Sequence, residues 1–192
     1  MGRRSHGLGA LCILLLLVLP RPAAAQQVLT QDEALKMAFP EATIIERRTA
    51  YLGEKELATA RALAGRGVDL RQGVVTYYVG KRGVQPLGVA YFDAHRVRTL
   101  PEVLMIVVSP RATVERIEVL KFSEPPEYRA PEGWLEQFEA KSLSENVSLK
   151  RGIVNITGAT LTSGAATDAV RRVLALHRVI HPLAPVVAFL NR

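Results

Sequence analysis

One cysteine, Cys12, occurs in the 192 residues, and it sits inside an apolar stretch close to the start. If that stretch is removed, the remaining chain has no thiol. It then forms no disulfide, iron–sulfur cluster, c-type haem attachment or cysteine zinc site. Any redox group it carries is organic and held by something other than sulfur. Aromatic residues are sparse, at 6%, and no basic stripe is interleaved with them. The basic residues fall in scattered pairs such as Arg47-Arg48, Lys81-Arg82 and Arg171-Arg172, so nucleic acid is not an expected partner. No apolar run reaches the ~20 residues of a comfortable bilayer span.

The first 25 residues have the order of a secretory signal. Arg3 and Arg4 precede an apolar run from Leu8 to Leu19, followed by Pro20 and the small triplet Ala23-Ala24-Ala25. Cys12 follows Leu11, not the small residue a lipoprotein site needs. Cleavage after Ala25 leaves Gln26 to Arg192 as a single exported, periplasmic domain, possessing an N-terminal helical extension. An uncleaved membrane anchor is the alternative. Arg3, Arg4 and Arg21 leave with the signal, and the formal net charge falls from +7 to +4.

Thr30-Gln31-Asp32-Glu33 is a capping-box pattern and predicts a short helix ending before Pro40. A second helix is expected over Glu54 to Ala64, stopped by Gly65 and Gly67. Strands are expected at Val74–Val79, Leu87–Phe92, Val103–Val108 and Val114–Phe122, with Gly88 marking a bulge or close approach. They follow one another without intervening helices, which favours antiparallel pairing and an α+β fold, an antiparallel sheet flanked by helices. A proline-rich loop from Ser123 to Pro131 precedes a short amphipathic helix, Trp134 to Lys141, and a final helix is expected from about Ser163 to Ile180.

Directly before that last helix stands Thr157-Gly158-Ala159-Thr160-Leu161-Thr162-Ser163-Gly164. Glycine lets the backbone approach a ligand, and the first helix amides carry the positive end of the dipole. Together they suit an anion, most naturally phosphate. An ordinary Ser/Thr-rich turn with an N-cap reads the same way from composition alone. A P-loop is excluded because five residues separate Gly158 from Gly164 and Ala165 follows, and the G-x-G-x-x-G dinucleotide spacing is absent.

Thr157 to Ser163 resembles the S/T-G-A-T-x-T-S signature of the FMN-binding domain family, which includes the exported flavin subunits of Rnf-type complexes and of the sodium-pumping NADH:quinone oxidoreductase. Glu124-Pro125-Pro126-Glu127 stands where the family carries E-T-P-G, and Trp134 and Phe138 match its W-x-x-x-F element, so the resemblance spans roughly Val74 to Ile180. It implies FMN esterified through its phosphate to Thr160, with Thr157, Gly158, Ala159, Leu161, Thr162, Ser163 and Glu124 around it. In that reading Thr162 and Ser163 cap the helix and cradle phosphate oxygens, and Glu124 accepts amides of the flavin loop. It also implies a flavin transferase that installs the group from FAD, and membrane-bound or extracytoplasmic redox proteins as partners. The chain departs from the family at Val154, where an acid usually stands six residues before the acceptor, and at Pro125 and Glu127.

The function so implied is an electron carrier and not a stand-alone turnover enzyme; Thr160 is an attachment point. A cofactor-free binding or adaptor protein that keeps the fold is the alternative, and a flavin-dependent reductase a third, for which the sequence offers no evident general acid or base. Arg96, Arg98 and Thr99 form a cationic strand end. His177 and His181 have i, i+4 spacing but no third metal ligand, and no metal is expected. Asn146 and Asn155 head formal glycosylation sequons.

Overall fold

The computed structural model describes residues 29–184, apart from residues 132 and 150. The expected signal segment, residues 1–25, lies outside the described residues. Among the described residues no helix is long and apolar enough to cross a membrane.

Helix α1 (Gln31–Ala38) begins with the expected capping box. The Thr30 hydroxyl accepts the Glu33 amide, and the Glu33 carboxylate accepts the Thr30 amide. Helix α2 (Glu54–Ala64) ends at Gly65, whose φ of +96° ends the helix in a backbone region that favours glycine. Between them lies β1 (Ile44–Tyr51), which the sequence reading missed. Its Glu46-Arg47-Arg48 triplet interrupts the apolar signal. The reason is its place on the sheet margin, where Glu46 bridges Arg48 and Lys81 across two strands.

Strands β2 (Val74–Arg82), β3 (Gln85–Arg96), β4 (Pro101–Val108) and β5 (Val114–Phe122) follow. The five strands form one antiparallel sheet in chain order, so β1 and β5 are its open margins. This is the expected α+β architecture. The central strands are buried on both faces, and their period of two divides the core. Val89, Tyr91, Leu104, Ile106 and Val108 face α2 and the last helix, while Ala90, Met105 and Val107 face α1.

The β2–β3 ladder stops at Tyr77–Tyr91, although both strands continue, β2 back to Val74 and β3 on to Arg96. Val74–Thr76 remain paired to β1, and Phe92–Arg96 to β4. The sheet is therefore split at one end between its second and third strands.

Helix α3 (Thr160–Ile180) lies across the sheet and against α2. Ala166, Ala169, Val170, Val173 and Leu174 are buried along it, each larger side chain contributing roughly 1.5–3 kcal/mol by leaving water. Its first residue is Thr160, not Ser163, because the left-handed Gly158 (φ +84°) turns the chain early and Ala159 is already the N-cap. The expected helix from Trp134 to Lys141 is instead a 3-10 turn, Trp134–Phe138. Phe138 is fully buried and the Trp134 ring meets it edge-on, so the pair serves as packing.

Gly80 and Gly88 are paired across β2 and β3 beneath the Phe39 ring. A Cβ on Gly80 would lie 2.4 Å from Phe39 Cγ, and Phe39 is buried. Gly80→Ala is expected to cost ~1–3 kcal/mol through overpacking, read as a lower urea midpoint. An unchanged midpoint would show that the ring has room to move.

Candidate functional site

Three segments meet at the beginning of α3. The first is the β3–β4 turn. Glu124 is 7% exposed, and its Oε1 accepts the amides of Arg98 (3.0 Å), Thr99 (2.7 Å) and Leu100 (2.8 Å). Those amides, chiefly Leu100 and Thr99, hold the carboxyl below its usual range. The second is the turn Pro126–Tyr128. The Arg98 guanidinium lies 5.1 Å from the Tyr128 ring centre, and the Tyr128 carbonyl accepts the Thr162 hydroxyl. The third is the segment Val154–Ala159 leading into the helix.

That third segment is fixed by the turn before it. Trp134 Nε1 donates to the Val154 carbonyl (2.8 Å), and the Val154 amide donates to Gln137 Oε1 (2.9 Å). Asn155 then reaches two helix hydroxyls. Its Nδ2 donates to Thr160 Oγ1 at 3.1 Å, and its Oδ1 accepts from Ser163. The sequence reading gave Asn155 no such part; only its place beside the Thr motif hinted at it.

The residues of the motif divide sharply. Thr157, Gly158, Thr160 and Leu161 are exposed, whereas Ala159, Thr162 and Ser163 are buried. Thr162 and Ser163 point inward, to Tyr128 and to Asn155, and so do not cap the helix or face an outside phosphate. That corrects the role expected of them, and the cause is the earlier helix start, which carries both side chains round to the core. No side chain caps α3 at all. The amides at its start therefore meet the exterior beside the exposed Thr160 hydroxyl. Nothing lies within 4 Å of where a Gly158 Cβ would stand.

A cavity of about 860 Å³ lies along α3 from Ala165 onward and opens into the split of the sheet. Ala165, Asp168 and Arg172 line it from the helix, Val74–Thr76 from β2, and Phe92–Arg96 from β3. Its β3 wall is held by a closed ionic group. Arg172 grips both Asp93 oxygens (2.7 and 2.9 Å), and His95 bridges Asp93 Oδ1 (2.9 Å) and Glu102 Oε2 (3.0 Å). Burial opposes charge on His95, but the two carboxylates outweigh it and raise its pKa to about 9. Burial likewise opposes the Asp93 carboxylate, and Arg172 and His95 lower its pKa. Asp168 is half-buried beside this group, and burial raises its carboxyl despite nearby Arg172, Arg171 and His95. His95 and Asp168 are titratable groups that the sequence reading did not single out; they acquire meaning only when β3 and α3 are brought together.

His177 is not part of this cavity's ionic group. Its Nδ1 lies 3.1 Å from the Tyr91 hydroxyl, and burial, aided by His181, lowers its pKa to about 4. His181 sits one residue past α3 in a left-handed cap. Among the described residues no group of three or more His, Cys, Asp or Glu stands together to hold a metal.

The two histidines set opposite limbs of a pH profile. His95 titrates above its ordinary 6.5, so its contribution is full below that value and is lost as pH rises through about 9. His177 titrates below 6.5, so its contribution is full above that value and is lost as pH falls through about 4. Each is worth at most ~3 kcal/mol at 1.36 kcal/mol per pH unit. The melting temperature is expected to peak near neutrality, with His95→Gln flattening the alkaline limb and His177→Phe the acid one. Wild-type limbs in both variants would refute this assignment.

Residues 101–175 match the family model of the FMN-binding domain. The match is shorter than the Val74–Ile180 span of the sequence resemblance, and it takes in β4, β5, the Glu124 loop, the 134–138 turn and most of α3. No curated protein matches the chain. This segment is similar to the FMN-binding domain, and FMN is the cofactor that the match indicates.

Proposed function

Starting from that similarity, we propose that the protein is an exported electron-transfer flavoprotein whose FMN is esterified through its phosphate to Thr160. The observation that carries this reading is the exposed Thr160 hydroxyl at an uncapped helix start, beside a left-handed glycine. A phosphate there has amide donors and the positive end of α3 to meet, and no side chain competes for them. The residues present therefore fit the group.

In this reading Asn155 orients the acceptor oxygen by donating to one of its lone pairs, and Trp134 and Gln137 keep Asn155 in place. Gly158 keeps the approach to Thr160 open. Glu124 and Thr162 hold the two turns that flank the helix start, which gives Glu124 a positioning part and leaves Ser163 an internal one. A hydroxyl is a poor nucleophile, so a separate flavin transferase acts on the chain. The Thr160 oxygen forms the new bond to the FMN-side phosphorus of FAD, the pyrophosphate bond breaks, AMP leaves and the hydroxyl proton is released. The bound flavin supplies reversible electron chemistry, while the protein retains it, tunes it and controls access. An ester keeps the cofactor on a protein working outside the cytoplasm, where replacement is not at hand. The basic-then-apolar beginning of the sequence, ending in Ala23-Ala24-Ala25, supports export. Membrane-bound and extracytoplasmic redox proteins are the partners proposed.

The intact mass of the protein produced with a flavin transferase in the exporting compartment tests this. A gain of one FMN less water is expected, absent in Thr160→Val. An unmodified wild-type mass overturns the ester, and failure to bind free FMN as well overturns the flavoprotein reading.

A further inference from the structure

The split between β2 and β3 passes through the sheet from face to face. Tyr78, Phe92 and Arg47 line it on the α1 side, and Asp168, Arg172 and Val173 on the α3 side. An aromatic pair closes its inner end on each face, Tyr78 with Phe92 (ring centres 5.5 Å apart) and Tyr77 with Tyr91 (5.9 Å). Outward from these pairs Val74–Thr76 are paired only to β1, and Phe92–Arg96 only to β4. Each strand therefore turns a row of main-chain N–H and C=O groups toward the opening, and the two rows face each other. Such rows are costly to leave unanswered. Arg172 keeps the opening in shape, because it ties α3 to Asp93 on β3 and to the Asp69 carbonyl in the loop before β2.

The charges around the opening are unevenly matched. Asp93 is held by Arg172 and His95, and Asp69 by Arg71. Asp168 is half-buried on the α3 side, and among the described residues nothing donates a hydrogen bond to it. The α1 side is the reverse. Glu46 is taken by Arg48 and Lys81, which leaves Arg47 without a carboxylate partner among the described residues. Arg96 shares the face of Phe92 by the period of two, and its guanidinium meets only the Thr99 carbonyl. An unmatched anion thus stands on one face of the opening and two unmatched cations on the other.

We propose that the split is a strand-insertion site: an extended peptide from a partner protein enters between β2 and β3, with a basic side chain turned to Asp168 and acidic side chains turned to Arg47 and Arg96. An extended chain answers both rows at once, since its main-chain groups point alternately to its two sides. Its side chains alternate between the two faces, so acidic and basic residues in alternation meet the opposite charge on each. The β3 row, Phe92–Arg96, sets the inserted length at about five residues. No residue of Thr157–Ser163 lines the cavity, so the site is separate from the start of α3 and independent of any group attached there.

The probe is a labelled peptide, Val-Glu-Lys-Glu-Val, blocked at both ends. Its lysine and its glutamates fall on opposite faces, and its order reads the same in either direction. It is expected to bind the protein saturably by fluorescence anisotropy and to slow hydrogen exchange at residues 74–76 and 92–96. Peptides with lysine or with glutamate at all three central positions are expected to bind about tenfold more weakly, as is the first peptide methylated on its lysine amide, which removes a main-chain donor. Asp168→Asn and Arg47→Glu are each expected to weaken the first peptide about tenfold while keeping the parent melting temperature. Lack of saturable binding, protection confined to other segments, undiminished binding of the methylated peptide, or wild-type affinity in both variants overturns the site. Protection of both strand edges that grows with protein concentration alone places a second copy in the opening and overturns it too.

Discussion

The bidentate grip of Arg172 on Asp93 ties α3 to the sheet in one register. Apolar contacts resist separation but allow sliding, and polar contacts that join α3 to its surroundings, this pair together with Arg171 on the Ala64, Ser144 and Val147 carbonyls, set its register. The ion pair is buried, and its geometry is satisfied on both sides by His95 and the Asp69 carbonyl. Removing one partner of such a pair leaves an uncompensated charge, a loss of roughly 3–5 kcal/mol. Three turns upstream of Arg172, Thr160 faces outward while Thr162 and Ser163 face inward, to Tyr128 and Asn155.

Much of the layout was legible in the sequence. β-Branched and aromatic runs in close succession gave four of the strands and their antiparallel order, and Thr30 with Glu33 gave the first helix. β1 was not legible because a marginal strand is stabilised by cross-strand ion pairs, and Glu46-Arg47-Arg48 hides any alternation of apolar residues. The Trp134 turn was overread for a related reason. Apolar residues four apart fit a helical face equally well when the backbone makes a single tight turn around one buried ring.

The site was legible by type and not by role. The hydroxyl-rich motif drew attention to Thr160, which is exposed. Its neighbours could not be sorted by composition, since whether a threonine meets solvent or core depends on a helix start three residues earlier than the capping pattern suggested. The parts played by Asn155, His95 and Asp168 escaped notice because sequence spacing alone does not show which polar side chains turn toward one another. Asn155 meets Thr160 and Ser163 across the turn before α3, with Trp134 and Gln137 holding the neighbouring Val154, and His95 bridges Asp93 on its own strand and Glu102 on β4. Glu124 was the exception: a lone loop carboxylate was expected to gather amides, and it gathers three, those of the β3–β4 turn.

The two open margins of the sheet have a bearing on how such a molecule keeps company. An unpaired strand invites another chain to join it, and long apolar margins assemble into aggregates. Here the outer strands are studded with Glu46, Arg47 and Arg48 on one side and Glu115, Arg116, Glu118 and Lys121 on the other. Stacking copies rim to rim would bring these charges into one another's way and strip them of water. The rims thus repel self-assembly, and encounters with other proteins are left to the helical face and the ends of the sheet.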